Sequence, residues 1–169
     1  MKQIITKDGS PVFVDDEDYE WLNKYTWRRN KVGYAFRGSS KNRVTFKRYM
    51  HREIMGAKKN QQVDHINGNI SHNQKENLRF STQSQNRINS VKMKGCLSDY
   101  KYVRPDKKRG NYTVRLGKRR KESYIGSFEN EHYAALVADL WAVDLYGKFA
   151  KTNFPVVSHT KRRMGADSV

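Results

Sequence analysis

Hydrophobic and polar positions alternate in short runs along most of this chain, and only one long stretch has helical spacing. Ile4-Ile5 and Val12-Phe13-Val14, on either side of a turn at Asp8-Gly9, predict two short strands. The acids Asp15 to Asp18 suit the start of a short helix carrying Tyr19, Trp21 and Leu22. Trp27, Tyr34-Ala-Phe36 and Val44-Thr-Phe46 read as strand material, with bends at Gly33 and Gly38. Gln62 to Ile66 is a short strand that runs into the turn Asn67-Gly68-Asn69, a hairpin signal. Asn77 to Phe80 is a second strand, and Ser81 or Thr82 can cap a helix through Asn89. Residues 92–98 have no clear period and read as a linker. Strands are expected at Tyr100 to Arg104, Tyr112 to Leu116 and Glu122 to Gly126. A helix from about Asn130 to Tyr146 then ends before Gly147. Its residues Tyr133, Leu136, Val137, Leu140, Trp141 and Val143 fall at spacings of three and four, so that face is expected to cover the sheet.

The fold class is therefore α+β, in two domains. Residues 1–91 hold a β-rich lead-in and a strand–strand–helix unit, and 92–98 are a linker. Residues 99–156 form a three-stranded antiparallel sheet packed on one helix. Residues 157–169 read as a disordered basic tail. With 169 residues and 36% hydrophobic content, each core must be small. The apolar stretch around Tyr133 to Tyr146 is broken by Asp139 and Asp144, so a membrane span is not expected. Cys96 is the single cysteine, which leaves neither an intramolecular disulfide nor a cysteine-rich zinc site. A soluble, cytoplasmic protein is the expectation.

Charge narrows the partner. The formal net charge is +17. Residues 1–50, 51–98 and 99–158 each carry +5 and the last eleven residues only +2, so a basic tail does not account for the excess. Ten bases and no acid lie between Lys24 and Arg52, interleaved with aromatics, as suits either a phosphate-binding face or solvated strand faces. Ten more lie between Tyr100 and Tyr124 against only Asp106 and Glu122. Nucleic acid, double-stranded DNA in particular, fits this distribution better than a membrane surface, since no long basic amphipathic helix is present.

The densest chemistry is Asp64-His65, then Asn77, then Asn86. A carboxylate and an amide oxygen are hard ligands suited to Mg²⁺ or Mn²⁺. A neighbouring neutral imidazole can take the proton of a water attacking a phosphate. The strand–strand–helix order can bring Asp64, His65 and Asn86 around one point, which outlines a phosphodiesterase site. Taken singly, Asp64 and His65 are equally turn formers, Asn77 a loop residue and Asn86 an exposed helix amide.

The motif Val63-Asp-His-Ile-Asn-Gly-Asn69, Asn73, Glu76-Asn-Leu-Arg-Phe80 and Ser84-Gln-Asn86 resembles the HNH endonucleases, the ββα-metal fold. Val14-Asp-Asp-Glu-Asp-Tyr19, Trp27, Gly33-Tyr34 and Met50-His-Arg52 resemble the lead-in of phage and intron-encoded HNH homing endonucleases. The resemblance implies that Asp64 and Asn86 bind one divalent ion, that His65 is the general base, and that Asn77 holds the His65 loop. His51 and Arg79 are accessory candidates. Over residues 99–156, Tyr124-Ile-Gly-Ser-Phe128, Ala134-Ala135, Asp139, Gly147-Lys-Phe-Ala150 and Asn153-Phe-Pro155 resemble the plant ethylene-response-factor DNA-binding domain. The Gly-Val usual after that domain's first Tyr is replaced here, Tyr100 being followed by Lys101-Tyr-Val103. That likeness implies base reading by Arg104, Tyr112, Arg115 and Tyr124, and phosphate contacts by Arg109, Lys118 and Arg119.

The expected function is a site-specific, metal-dependent DNA endonuclease of homing type, acting as a monomer that nicks one strand. Two rivals remain at this point. One is a DNA-binding regulator with an inactive nuclease module. The other is an RNA-binding or structural zinc protein using His51, His65 and His72.

Overall fold

A computed structural model describes residues 1–41, 44–90, 95–118 and 121–155. The chain divides into two compact units, Met1–Val91 and Lys92–Val169. Both are mixed α and β. The tail expected over 157–169 lies outside the described residues.

The first unit opens with the hairpin β1 (Lys2–Ile5) and β2 (Pro11–Val14), joined through Gly9, whose φ of 80° needs a residue without a side chain. Helix α1 (Asp16–Leu22) follows, its acidic first turn complementing the helix dipole. Strands β3 (Arg28–Arg29), β4 (Ala35–Lys41) and β5 (Val44–Tyr49) make an antiparallel sheet in chain order. The short helix α2 (Met50–Ile54) continues directly from β5. Ile4, Val12, Val14, Leu22, Trp27, Ala35 and Met50 form the core between these pieces. Trp27 can be wholly buried because its indole N–H donates to the Leu22 carbonyl at 2.9 Å.

Strands β6 (Gln62–His65) and β7 (Leu78–Ser81) then pair antiparallel, placing Asp64 opposite Arg79 and His65 opposite Leu78. They are not a tight hairpin. Asn67-Gly68 turns the chain into a long loop that Phe13 holds, donating to the Ser71 carbonyl and accepting from the Asn73 N–H, both at 2.8 Å. Helix α3 (Gln83–Asn89) starts from Thr82 with reciprocal Thr82–Gln85 bonds, so Thr82, not Ser81, is the cap.

The second unit is a sheet in the order β10-β9-β8, from β8 (Val103–Asp106), β9 (Asn111–Lys118) and β10 (Lys121–Phe128), with helix α4 (Glu131–Tyr146) on one face. Asn130 caps α4, accepting from the Tyr133 N–H at 2.9 Å, and Gly147 ends it. The expected facing of α4 is reversed. Ala134, Ala135, Ala138 and Ala142 press against Val103, Val114 and Leu116, while Tyr133, Leu136, Leu140, Trp141 and Val143 are exposed. Small side chains let the helix approach the sheet closely, so the alanines win the inner face despite their lower hydrophobicity.

Asp139, on that inner side, accepts from the backbone N–H groups of Asn153 and Phe154 and from the Asn153 amide at 2.8–2.9 Å, tying the end of the unit to α4. Tyr102, at the position where the sequence departs from the ethylene-response-factor pattern, takes a left-handed φ of 68°. Its ring packs on the core and lies 5.9 Å from that of Tyr146, which holds this uncommon conformation in place.

Candidate active site

The β6 segment Val63-Asp64-His65 is buried at all three residues, so its polar groups must find partners inside the unit. Asp64 Oδ2 accepts from Arg79 Nε at 2.9 Å and Nη2 at 2.8 Å, an ion pair made across the strands by the register. Asn89 Nδ2, from the last turn of α3, donates to both Asp64 oxygens at 3.0–3.1 Å and to the His65 carbonyl at 2.8 Å. The structure therefore brings Arg79 and Asn89 to Asp64.

His65 has a defined orientation. Its Nε2 lies 3.2 Å from Asn73 Oδ1, and Asn73 spends its own Nδ2 on the Ile70 carbonyl, also at 3.2 Å. With the Asn73 oxygen turned toward the ring, Nε2 carries the proton and donates, which leaves Nδ1 with the free lone pair. Burial lowers the His65 pKa, partly opposed by the Asn73 hydrogen bond and the Asp64 charge. The ring thus stays in the neutral form that can accept a proton.

Around His65 lies an aromatic group. The rings of His51 and Tyr34 are 5.2 and 6.0 Å from it, and Tyr34 and His51 are 5.2 Å apart. Tyr34, Tyr49, His51, Val63 and Asn86 are among the residues that line a cleft of about 310 Å³. Asn86, half-buried on α3, makes no side-chain hydrogen bond among the described residues. Asn77 stands apart from this cleft in its contacts. It ties the loop after β6, accepting from the Asn67 N–H at 3.0 Å and donating to Asn67 Oδ1 at 3.1 Å and the His72 carbonyl at 2.8 Å.

His51 is buried, and desolvation with the nearby His65 and Arg52 pushes its pKa down to about 3. The unfolded chain protonates this residue as pH falls through about 6.5, whereas the folded chain holds out until the lower value. Its contribution to stability is complete above the unfolded value and is lost as pH falls through that window. Going from pH 7 to pH 5 is expected to cost the first unit about 2 kcal/mol. His65 acts with the same sign. Thermal denaturation at the two pH values checks this, and His51→Phe should flatten the difference; an unchanged difference would remove His51 as its source.

The histidines do not gather as a zinc site. Among the described residues, three metal-type ligands come together only at Asp15, Glu17 and Asp18. A cation already serves that group: Lys75 Nζ lies 2.5 Å from Glu17 and 3.4 Å from Asp18, and the Lys75 N–H donates to Asp15 at 2.8 Å. His72 packs edge-on against Phe13 with centroids 5.2 Å apart.

The basic stretch from Lys24 to Arg52 divides in two. Arg37 pairs with Glu53 at 3.0 Å, Arg29 donates to the Pro11 carbonyl and Ser71 Oγ at 2.8 Å, and Arg52 donates to the Lys58 and Gln61 carbonyls. Those three cations brace the unit. Arg28 and Lys47 line an open depression beside Phe36.

In the second unit the strand alternation turns Arg104, Arg115 and Tyr124 away from α4. The Arg115 guanidinium lies 5.5 Å from the centroid of its cross-strand neighbour Tyr124, and Arg104 pairs with Glu122 at 2.8 Å. Arg104, Arg115, Lys121 and Glu122 border a concavity of about 840 Å³. Tyr112 is not on this face; it packs against the core on the α4 side, two residues before the buried Val114 on the same strand. Arg109 sits in the β8–β9 turn, 4.0 Å from Asp106. The Lys118 side chain and Arg119 lie outside the described residues.

Asn89, Asn73 and Tyr34 carry no role in the sequence reading. Asn89 falls one helical turn after Asn86, a spacing that puts both on neighbouring positions of α3. Asn73 and Tyr34 fall within the motif and its lead-in, but the groups they contact lie on other elements.

No helix among the described residues is long and apolar enough to cross a membrane. No family model matches the chain. Over 147 residues it is 30% identical to an uncharacterized HNH endonuclease of Acanthamoeba polyphaga mimivirus, covering 86% of this chain and 75% of that protein. With identity at that level over most of both chains, including the segment that builds the Asp64–His65 site, the chain belongs to the HNH endonuclease family.

Proposed function

We propose that this protein is a site-specific, divalent-metal-dependent DNA endonuclease of the homing type. Residues 62–89 act as its ββα-metal module, and the second unit is an ethylene-response-factor-like domain that recognises the duplex. The observation that carries the reading is His65: a buried, neutral imidazole next to a carboxylate, its Nε2 held by Asn73 so that Nδ1 is free to take a proton from water.

Asp64 and Asn86 would hold a Mg²⁺ or Mn²⁺ ion. The donor set fits: Asp64 supplies a carboxylate oxygen and Asn86, lining the neighbouring cleft, supplies an amide oxygen, both hard ligands. The ion, when bound, would stabilise the charge that develops on the leaving oxygen. Asn89 and Arg79 orient the Asp64 carboxylate, and Asn77 fixes the loop that carries Asn73. Each chain has one such site, so one engagement breaks one phosphodiester and leaves a nick with a 3′-hydroxyl and a 5′-phosphate. Arg104, Arg115 and Tyr124 read bases from the open face of the sheet, with Arg109, Lys118 and Arg119 on phosphates.

Supercoiled plasmid carrying the target should become open circles with Mg²⁺ or Mn²⁺ and remain intact in EDTA. Cleavage in EDTA would sink the metal requirement. The rival reading, a DNA-binding regulator with an inactive nuclease module, draws on the Arg79 and Asn89 bonds that occupy Asp64, and failure to cut with either metal would favour it.

Arg115→Ala should lower discrimination between target and random duplex by about 1–3 kcal/mol. Lys118→Ala should weaken both similarly and reduce the salt slope. Equal losses for the two variants in a gel-shift titration would count against base reading by Arg115.

A further inference from the structure

Helix α4 has two apolar faces. Its inner face is the alanine row against the sheet. Its outer face carries Tyr133, Leu136, Leu140, Trp141 and Val143, exposed at 57, 42, 74, 49 and 44%. The residues 133, 136, 140 and 143 follow the three-then-four spacing of a two-heptad seam, with Trp141 on one flank. An exposed apolar stripe of this length on a small unit marks an interface.

Charge decides what covers it. The chain carries a net +17, yet from Glu129 to Tyr146 it has no Lys or Arg and four acids, of which Asp139 is turned inward. Nucleic acid is therefore repelled from this face. A second copy docked on this face keeps the basic side of each sheet, which carries Arg104 and Arg115 and points away from α4, out of the contact. The stripe is also complementary to itself when two helices run antiparallel. A two-fold axis between Val137 and Leu140 sets Leu136 against Trp141 of the other copy. It sets the Tyr133 hydroxyl, a donor, against the Asp144 carboxylate. Beyond the helix ends it sets Glu129 against Lys148. An isologous interface needs this kind of self-matching. In the first unit, by contrast, the exposed large apolar side chains among the described residues are scattered, as with Ile5, Val32, Phe46 and Phe80 on separate elements.

We propose that the outer face of α4 pairs antiparallel with the same face of a second copy, making the protein a two-fold dimer through its second unit. This assignment does not depend on the nuclease reading.

Sedimentation velocity of the full chain without DNA, from low to high micromolar loading, tests it. The wild type should move to twice the chain mass as loading rises. Leu140→Glu should stay monomeric at every loading with an unchanged melting temperature, because that side chain is largely exposed. Glu129→Lys should weaken association severalfold by opposing Lys148, and adding Lys148→Glu should restore it. The charge-swap pair keeps the test decisive if Leu140→Glu folds poorly. A wild-type chain that is monomeric throughout overturns the proposal, as does a dimer insensitive to both sets of variants. A monomeric wild type whose melting temperature falls on Leu140→Glu would show the face covered within its own chain, which overturns it too.

Discussion

Replacing His65 with alanine is expected to lower the rate of DNA cleavage by about 10²–10⁴-fold, the range that a positioned general base supplies, while duplex binding stays near wild type. The two readouts separate because the imidazole acts only in the chemical step, whereas recognition is assigned to the second unit. Geometry makes the expectation specific to one nitrogen. Asn73 Oδ1 accepts the hydrogen bond from Nε2–H, so Nδ1 is the basic atom. Asn73→Ala should therefore cut the rate too, by freeing the other tautomer, without removing the imidazole. Because burial lowers the His65 pKa, the wild-type rate should persist as pH falls through the ordinary histidine value of about 6.5 and decline only below it. Single-turnover cleavage across that range checks both points. A His65→Ala chain that cuts at the wild-type rate would place the base elsewhere.

Arg79→Met is expected to destabilise the first unit by about 3–5 kcal/mol, the cost of leaving one charge of a buried pair without its partner. Asp64 and Arg79 have side chains only 6 and 12% exposed, and the guanidinium donates twice to one oxygen. Asn89 still faces the carboxylate, but an amide cannot neutralise it. The same change should raise affinity for Mg²⁺ or Mn²⁺, since a cation at Asp64 no longer competes with a fixed guanidinium. Urea denaturation with and without the metal separates these effects. The midpoint should fall in the variant, and added metal should recover more of it than in the wild type. An unchanged midpoint would mean that the ion pair is energetically idle, and equal metal responses would remove Asp64 from the ion site.

The position of α4 bears on the expected monomer. Had its large apolar side chains covered the sheet, as their spacing suggests, this helix would have had no apolar face left for a second copy. They are exposed, so that reason for a monomer is gone.

Much of the architecture follows from local signals in the chain. The alternation around Val12 and Val114, the turn at Asp8-Gly9 and the Thr82–Gln85 cap each act within a few residues. The α+β class and the strand–strand–helix order around Asp64 and His65 are therefore legible directly. So is the identity of the motif residues, because a strand presents neighbours at fixed positions whatever packs against them. Three things were settled only in three dimensions. The inner face of α4 went to alanine, because contact distance with the sheet, which hydrophobic spacing does not encode, chose between two apolar faces. Tyr112 went to the core, because β9 faces α4 with the parity of Val114 and Leu116. The partners of Asp64 and His65 came from β7, the loop after β6 and the last turn of α3, over separations of 8 to 25 residues. A sequence gives the residue types that can neutralise a carboxylate or orient an imidazole; which of them arrive is a property of strand register and helix packing, and those are set by the whole core.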